Sequence, residues 1–336
     1  MKTFTLLTWL LIFSSVSIHS APPKVLELVM GEGLDQIGYT LSEPLPDIEG
    51  NLSSLVEGPP AMTVDRLGRL YILDSAQERV KIFSAKGRLL SALMLPQLNN
   101  ETEHNYTDIL VGAKGSILLL DTENQLIARI RHRSKQKPSI SFGFLPHKTT
   151  ENTPLILESF RLSLGSQLLT QNRFDGSVFQ ILPPQAESRT HGIKKLFDSP
   201  PFRPMLQLTQ DSKIFGLQFH PKDPSVHEFF AMQTTSSKPR RLFQTKAFKN
   251  LHFVELLGLI QNDFIVALFS GAEEQTQLTQ LLRLDQNGQE IRTLSLRFKE
   301  LPWTMHHRYL VQGPYVYISE YTEAGARTLR IHRYKL

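Results

Sequence analysis

The chain has 336 residues, with 37 Lys and Arg against 32 Asp and Glu, and it contains no cysteine. The missing cysteines exclude thiol nucleophiles, thiolate zinc sites, iron–sulfur clusters and any disulfide framework. A formal net charge of +5 over this length is mildly basic and calls for no nucleic-acid partner.

Residues 1–20 read as a secretory signal peptide. Lys2 is followed by an apolar run through Leu6, Leu7, Trp9, Leu10, Leu11, Ile12 and Phe13, then by Ser14, Ser15, Ser17, Ser20 and Ala21. That run is far shorter than the roughly 20 residues a bilayer demands. Cleavage between Ser20 and Ala21 is expected, giving a secreted or periplasmic protein. No later segment is long and apolar enough for a transmembrane span in the mature chain. Residues 21–336 are then expected to form a single domain, ample to bury a core without staples.

Lys24 to Met30 (KVLELVM) is the first strand candidate. The clearest pattern runs from Pro59 to Leu90. Ala61 to Val64 is a short apolar run. Asp65-Arg66-Leu67-Gly68 is a tight turn, with Gly supplying the left-handed position. Arg69 to Leu73 is a β-rich run, Asp74 to Glu78 turns again, Arg79 to Phe83 alternates, and Arg88 to Leu93 follows the turn Ala85-Lys86-Gly87. Four short antiparallel strands in about 35 residues make one propeller blade.

The layout then recurs. Asp108 to Val111, the turn Gly112 to Gly115, Ser116 to Leu120, Asp121 to Asn124 and Leu126 to Ile130 form a second copy. Asp121 falls where Asp74 fell, and Gly115 where Gly68 fell. Weaker copies follow: Phe160 to Leu182, Met205 to Gln233, Phe253 to Gly288, and Tyr309 to Tyr334. The best helical window, Gly271 to Leu284, reads equally as a hairpin loop leading into a strand. The expectation is an all-β fold: a β-propeller of six blades, each of four antiparallel strands. A lone four-stranded sheet cannot bury both faces, whereas stacked blades can. Closure is expected from Lys24 to Met30 pairing beside Thr328 to Tyr334 in the last blade.

The first blade resembles an NHL-type repeat, through Ala61, Val64, Asp65, Gly68, Leu70, Tyr71, Asp74, Arg79, Val80 and Phe83. The lead-in Gly31-Glu32-Gly33, Gln36-Ile37-Gly38 and Glu57-Gly58-Pro59 is similar to that of secreted bacterial six-bladed propellers. The resemblance implies the fold, while functions among such proteins range from protein binding to lactonase and lyase chemistry. It also implies that Asp74 and Asp121 bond turn amides, with Arg79 as a partner for Asp74.

No catalytic or metal-binding set emerges from spacing, and no cofactor is required. Calcium-dependent lactonase propellers gather oxygen ligands at the channel mouth, so Ca2+ is the cation to weigh. The contributors would be Glu32, Asp65, Asp121, Asn124, Asn172, Asp175, Asn262, Asp263 and Glu320. His306-His307 is the one histidine doublet, and adjacent strand residues point to opposite faces. There is no G-x-S-x-G elbow, and Gly31-x-Gly33 with Gly38 has the wrong spacing for a phosphate loop. The densest charge run, Arg129 to Lys137, places Arg131, Arg133, Lys135 and Lys137 as a candidate anion-binding patch, with a second cluster at Lys238 to Arg241. Asn51, Asn100 and Asn105 head glycosylation sequons, which matter only in a eukaryotic secretory pathway.

The functional expectation is a binding scaffold engaging a protein, peptide or glycan through loops around the funnel, with a place in an envelope complex as a further expectation. The alternative is a metal-dependent hydrolase or lyase, lactonase-like, with its site at the central channel.

Overall fold

The structure, a computed structural model, describes residues 24–41, 45–46, 52–53, 56–98, 104–112, 115–132, 137–148, 154–162, 167–172, 175–184, 189–198, 203–205, 213–233, 238–245, 251–270, 277–299, 309–322 and 327–336. The proposed signal peptide, Arg133, Lys135, the His306-His307 doublet and the sequons at Asn51 and Asn100 lie outside these residues.

Six four-stranded antiparallel sheets follow one another along the chain. Blade 1 is Ala61–Val64, Leu70–Asp74, Arg79–Phe83 and Leu89–Met94. Blade 2 is Tyr106–Val111, Ile117–Asp121, Leu126–Arg131 and Ser139–Phe144. Blade 3 is Leu157–Leu162, Leu168–Asn172, Val178–Pro184 and His191–Phe197. Blade 4 is Arg203–Met205, Lys213–His220, Asp223–Gln233 and Arg240–Gln244. Blade 5 is Leu251–Ile260, Asp263–Ser270, Gln277–Leu284 and Glu290–Lys299. Blade 6 takes Tyr309–Gln312, Tyr315–Thr322 and Thr328–Lys335, and its outer strand is Lys24–Val29.

The architecture is the all-β six-bladed propeller expected. Lys24–Val29 pairs with the last strand from Lys24↔Arg333 to Val29↔Thr328, so the first and last described strands share one sheet. The window read as helix or strand resolves into the strand Gln277–Leu284. The outer strands of blades 2 to 5 were not read from the sequence. Edge strands are solvated on one side and carry weaker apolar patterning.

Strand alternation explains why the blades stack. In blade 1, Leu70 and Ile72 join a core with Tyr317, Tyr321, Leu329 and Ile331 of blade 6. Tyr71 and Leu73, one residue out of phase, join Ile109, Ile117 and Leu119 of blade 2. Blade 2 then turns Leu118 and Leu120 toward Phe179 and Ile181 of blade 3. Blades 3 and 4 share Leu169, Val178, Ile214 and Met232, blades 4 and 5 share Phe229, Phe243 and Phe264, and blades 5 and 6 share Phe269, Leu281, Val316 and Ile318. Every second residue faces one neighbour and the rest face the other, so the inner strands bury both faces in largely apolar seams.

The turns carry the repeat's signature. Gly68 and Gly115 hold φ of +73° and +74° at matched turns between first and second strands. A Cβ on Gly68 would meet nothing closer than Ala85 Cβ at 3.5 Å, so the cost of Gly68→Ala is backbone strain alone. Thermal or urea melts should show a loss of about 1–2 kcal/mol.

Between Lys24–Val29 and blade 1 lies an insertion. Met30 bridges Ile37, and short antiparallel ladders join Thr40–Leu41 to Val56–Glu57 and Leu45–Pro46 to Leu52–Ser53. Because blade strands are antiparallel, turns between strands one and two, and three and four, share one face of the ring, called here the turn face. Turns between strands two and three, and the connections between blades, share the other, called the connector face. Glu78 O and Gln125 O, beside the second-to-third turns, accept the amides of Leu95 and Leu145, where the connections leave blades 1 and 2.

Candidate functional site

Among the inner-strand side chains that the structure describes, three carry charge. Asp108 lies in the first strand of blade 2, Arg161 in that of blade 3 and Glu255 in that of blade 5. Arg161 pairs with Leu169 and Glu255 with Ala267, each three residues before the end of the second strand. Asp108 pairs with Leu120, one residue before that end, so it sits about 6–7 Å nearer the connector face.

Blades 2 and 5 are opposite one another in a six-membered ring, yet the charges of both carboxylates act on the same guanidinium. Burial pushes Arg161 below the ordinary arginine value, and Asp108 and Glu255 oppose that shift. Asp108 is 0% exposed, and its Oδ1 accepts the amide of Ile109 at 2.8 Å. Carboxylates of blades 2 and 5 thus act on the charge of a partly exposed guanidinium in blade 3.

A second buried ion pair lies toward the connector face of blade 1. Lys81 Nζ is 2.8 Å from Asp74 Oδ2, with both side chains fully buried. Lys81 also donates to Gln77 Oε1 at 2.8 Å and to the carbonyl of Gln36. Asp74 accepts the amide of Gln77 at 3.1 Å and that of Gly38 at 2.9 Å. The turn-bonding role implied for Asp74 is therefore present, but its buried counter-charge is Lys81 and not Arg79. Lys81 points into the seam that also holds Phe83, beneath the lead-in segment, where no water competes for the carboxylate. Gly38 is pressed against this cluster: a Cβ there would stand 2.5 Å from Asp74 Oδ1.

Blade 2 solves the same position differently. Asp121 Oδ2 is 3.0 Å from His104 Nδ1, and Asn124 contributes its amide at 2.9 Å and its side-chain nitrogen at 2.7 Å. His104 Nε2 accepts the amide of Leu98 at 3.0 Å, so Nδ1 is the donor and the ring has no nitrogen left for a substrate proton. In blade 3 the position is Asn172, which accepts the amide of Ile156 and donates to Pro154 O and Asp175 Oδ1.

The carboxylates and amides weighed for calcium do not converge. Asp121, Asn124, Asn172, Asp175 and the exposed Glu32 lie toward the connector face, whereas Asp65, Asn262 and Asp263 lie on the turn face. Asp65 accepts the amides of Leu67 and Arg69 and pairs with Arg69 Nε at 2.6 Å. Asp263 pairs with Arg283 at 2.7 Å, and Glu320 lies 2.9 Å from His332 Nε2. Among the described residues no group of three or more His, Asp or Glu side chains is placed to hold a metal ion. These residues fit as turn locks and ion pairs, and not as a calcium cage.

Arg131 and Lys137 of the basic patch are exposed at the turn between the third and fourth strands of blade 2, on the rim of the turn face. Arg129 lies deeper. Burial pushes its guanidinium down, and the like charge of Arg131 adds to the shift.

His191, in the outer strand of blade 3, packs on Gly143 of blade 2, where a Cβ would come within 2.3 Å of Nε2. Its Nδ1 donates to Leu182 O at 2.7 Å. Burial lowers its pKa from 6.5, the Leu182 bond opposes this, and Arg129 lowers it further. Burial also lowers the pKa of His227. Below pH 6.5 the unfolded chain binds protons that the folded chain refuses, so stability is complete above that value and falls as pH drops toward the folded pKa. The urea midpoint should be lower at pH 5.5 than at 7.5, and His191→Asn should shrink that difference.

Sequence reading missed Asp108, Arg161, Glu255, Lys81 and His104. A faint signal existed: Asp108 in YTDILV and Glu255 in LHFVELLGLI are lone carboxylates inside apolar strands, and Lys81 lies between Val80 and Ile82 in RVKIF.

No protein-family model and no curated protein sequence matches the chain. Among solved structures, a member of the DUF4221 family from Bacteroides vulgatus is similar over 94% of this chain and 97% of its own, at TM-score 0.55 and 11% identity. A luciferin-regenerating enzyme aligns over 94% of this chain and 96% of its own, at TM-score 0.49 and 13% identity. Virginiamycin B lyase from Staphylococcus aureus aligns over 94% and 99%, at TM-score 0.41 and 14% identity. The first of these supports the six-bladed fold, and identities this low carry no activity across.

Among the described residues, no helix is long and apolar enough to cross a membrane.

Proposed function

We propose that this protein is a secreted or periplasmic binding scaffold, a set of diverged NHL-like blades that recognises its ligand through surface turns and not through chemistry in the channel. One observation carries the reading: the carboxylates that could gather a catalytic cation are already engaged, Asp74 by Lys81, Asp121 by His104, Asp65 by Arg69 and Asp263 by Arg283. A cation among the inner strands would also meet the positive charge of Arg161. What remains for recognition is the exposed turns on a rigid ring, the common location of binding residues. The ligand class is a protein, peptide or glycan bearing negative charge, met by Arg131, Lys137 and their neighbours Arg133 and Lys135.

The test combines metal analysis with retention. Purified protein should carry no stoichiometric metal and melt at the same temperature with or without chelator. Immobilised protein should retain a component of an envelope extract at low salt, release it at high salt, and lose it in Arg131→Glu/Lys137→Glu. Metal-dependent turnover of a lactone or ester, with nothing retained at either salt, would establish the lactonase-like hydrolase or lyase instead.

A further inference from the structure

Among the described residues, positive charge gathers on one face of the ring. On the turn face, blade 1 exposes Arg66 and Arg88, blade 2 Arg131 and Lys137, blade 4 Lys238 and Arg240, and blade 6 Lys335. Two carboxylates on this face, Asp65 and Asp263, are taken up by Arg69 and Arg283, and blade 5 adds Asp285 and Glu290. Among the described residues the connector face leans the other way: its turns present Glu78 in blade 1, Glu123 in blade 2, Asp175 in blade 3 and Asp223 in blade 4, and the lead-in adds Glu32 and Asp35, against the basic Arg79, Lys148 and Lys222.

From this polarity we infer that the turn face docks on the surface of an anionic phospholipid bilayer. The inference goes beyond the scaffold reading: it gives the basic turns as a set a membrane surface, in addition to any soluble ligand at the blade 2 turn. Charge complementarity selects an anionic surface. Geometry selects an extended one: the basic side chains come from four blades around a ring, and only a broad array of phosphates meets them together. A short acidic peptide would reach one blade's share. The same face carries Leu67, 74% exposed at the tip of the turn between Arg66 and Arg69. An apolar tip flanked by arginines suits the boundary between headgroups and acyl chains. Basic side chains at such a surface each raise the partition coefficient by about fivefold, and the gain fades beyond one Debye length.

Flotation with vesicles of phosphatidylcholine alone, or mixed with phosphatidylglycerol, tests this with the full-length mature protein. Binding is expected to the mixed vesicles at low salt, with little to the neutral ones, and with a fall of at least about tenfold at high salt. The variant Arg66→Glu/Arg131→Glu/Arg240→Glu should lose about 100-fold or more. The variant Arg79→Glu/Lys148→Glu/Lys222→Glu changes net charge equally on the connector face and should bind as the parent does. Leu67→Ala should leave low-salt binding intact and remove what persists at high salt. Equal loss in both triple variants would overturn the inference, since net charge and not the face would then matter. So would absence of binding to the mixed vesicles at low salt. Retention of a soluble anionic polysaccharide without vesicle binding would also overturn it while leaving the scaffold reading intact. Metal-dependent turnover would remove the scaffold reading without touching the vesicle result.

Discussion

Replacing Lys81 with methionine is expected to lower the unfolding free energy by about 3–5 kcal/mol, because it strands the Asp74 carboxylate without its cation in a sealed seam. Both side chains are 0% exposed, so solvent screening gives no relief. The amides of Gly38 and Gln77 still reach Asp74, which keeps the loss toward the lower end. The damage should spread from blade 1 to the lead-in, because Lys81 also binds the Gln36 carbonyl and Gln77 Nε2 donates to Gly31 O at 2.7 Å. Hydrogen exchange should therefore report earlier opening of residues 30–38 than of the blade 1 strands. The double variant Lys81→Met/Asp74→Leu should recover part of the stability, since an apolar pair leaves no buried charge. It should not recover all, because two backbone amides lose their acceptor. A Lys81→Met protein as stable in urea as the parent would show that the ion pair contributes nothing.

At the axis, Arg161→Met should cost less, about 1–3 kcal/mol, because the charge it removes from Asp108 and Glu255 belongs to a partly exposed guanidinium. Asp108 is fully buried, so its carboxylate has no water to turn to. Arg161→Lys keeps the charge but loses the planar fork, and an intermediate loss is expected. Because charges of blades 2 and 5 act on this guanidinium of blade 3, the loss should appear as one cooperative transition shifted to lower urea. Fraying of blade 3 alone, with the rest of the ring unmoved, would show that Arg161 serves only its own sheet.

The repeat itself was legible where turn chemistry and strand period coincide. Gly68 and Gly115 announced left-handed turns, Asp74 and Asp121 announced the ends of second strands, and alternating residues such as Leu70, Tyr71, Ile72 and Leu73 divide between two seams. Closure by Lys24–Val29 was legible as well, because a ring needs a last strand and one apolar run stood unclaimed before the first blade. Outer strands such as Ser139–Phe144 and Arg240–Gln244 were not, since half their surface faces water and their residues carry no strong period.

The site was much less legible. Asp108 and Glu255 are 147 positions apart in the sequence, and only the curvature of the ring brings their charges to bear on Arg161. The choice of Lys81 over Arg79 as the partner of Asp74 depended on which side chain lies beneath the lead-in segment. The gathering of positive charge on one face likewise appears only when turns from separate blades are laid around one circle.

By itself the sequence determined the module: its strands, its turns, its alternation and the need to close, all of which follow from contacts between residues near in the chain. Only the tertiary structure decided which charges meet at the axis, which carboxylates are locked and which face is basic. Those depend on distances across the ring, and a Coulomb interaction is set by separation in space and by exclusion of water, neither of which is written in the order of residues.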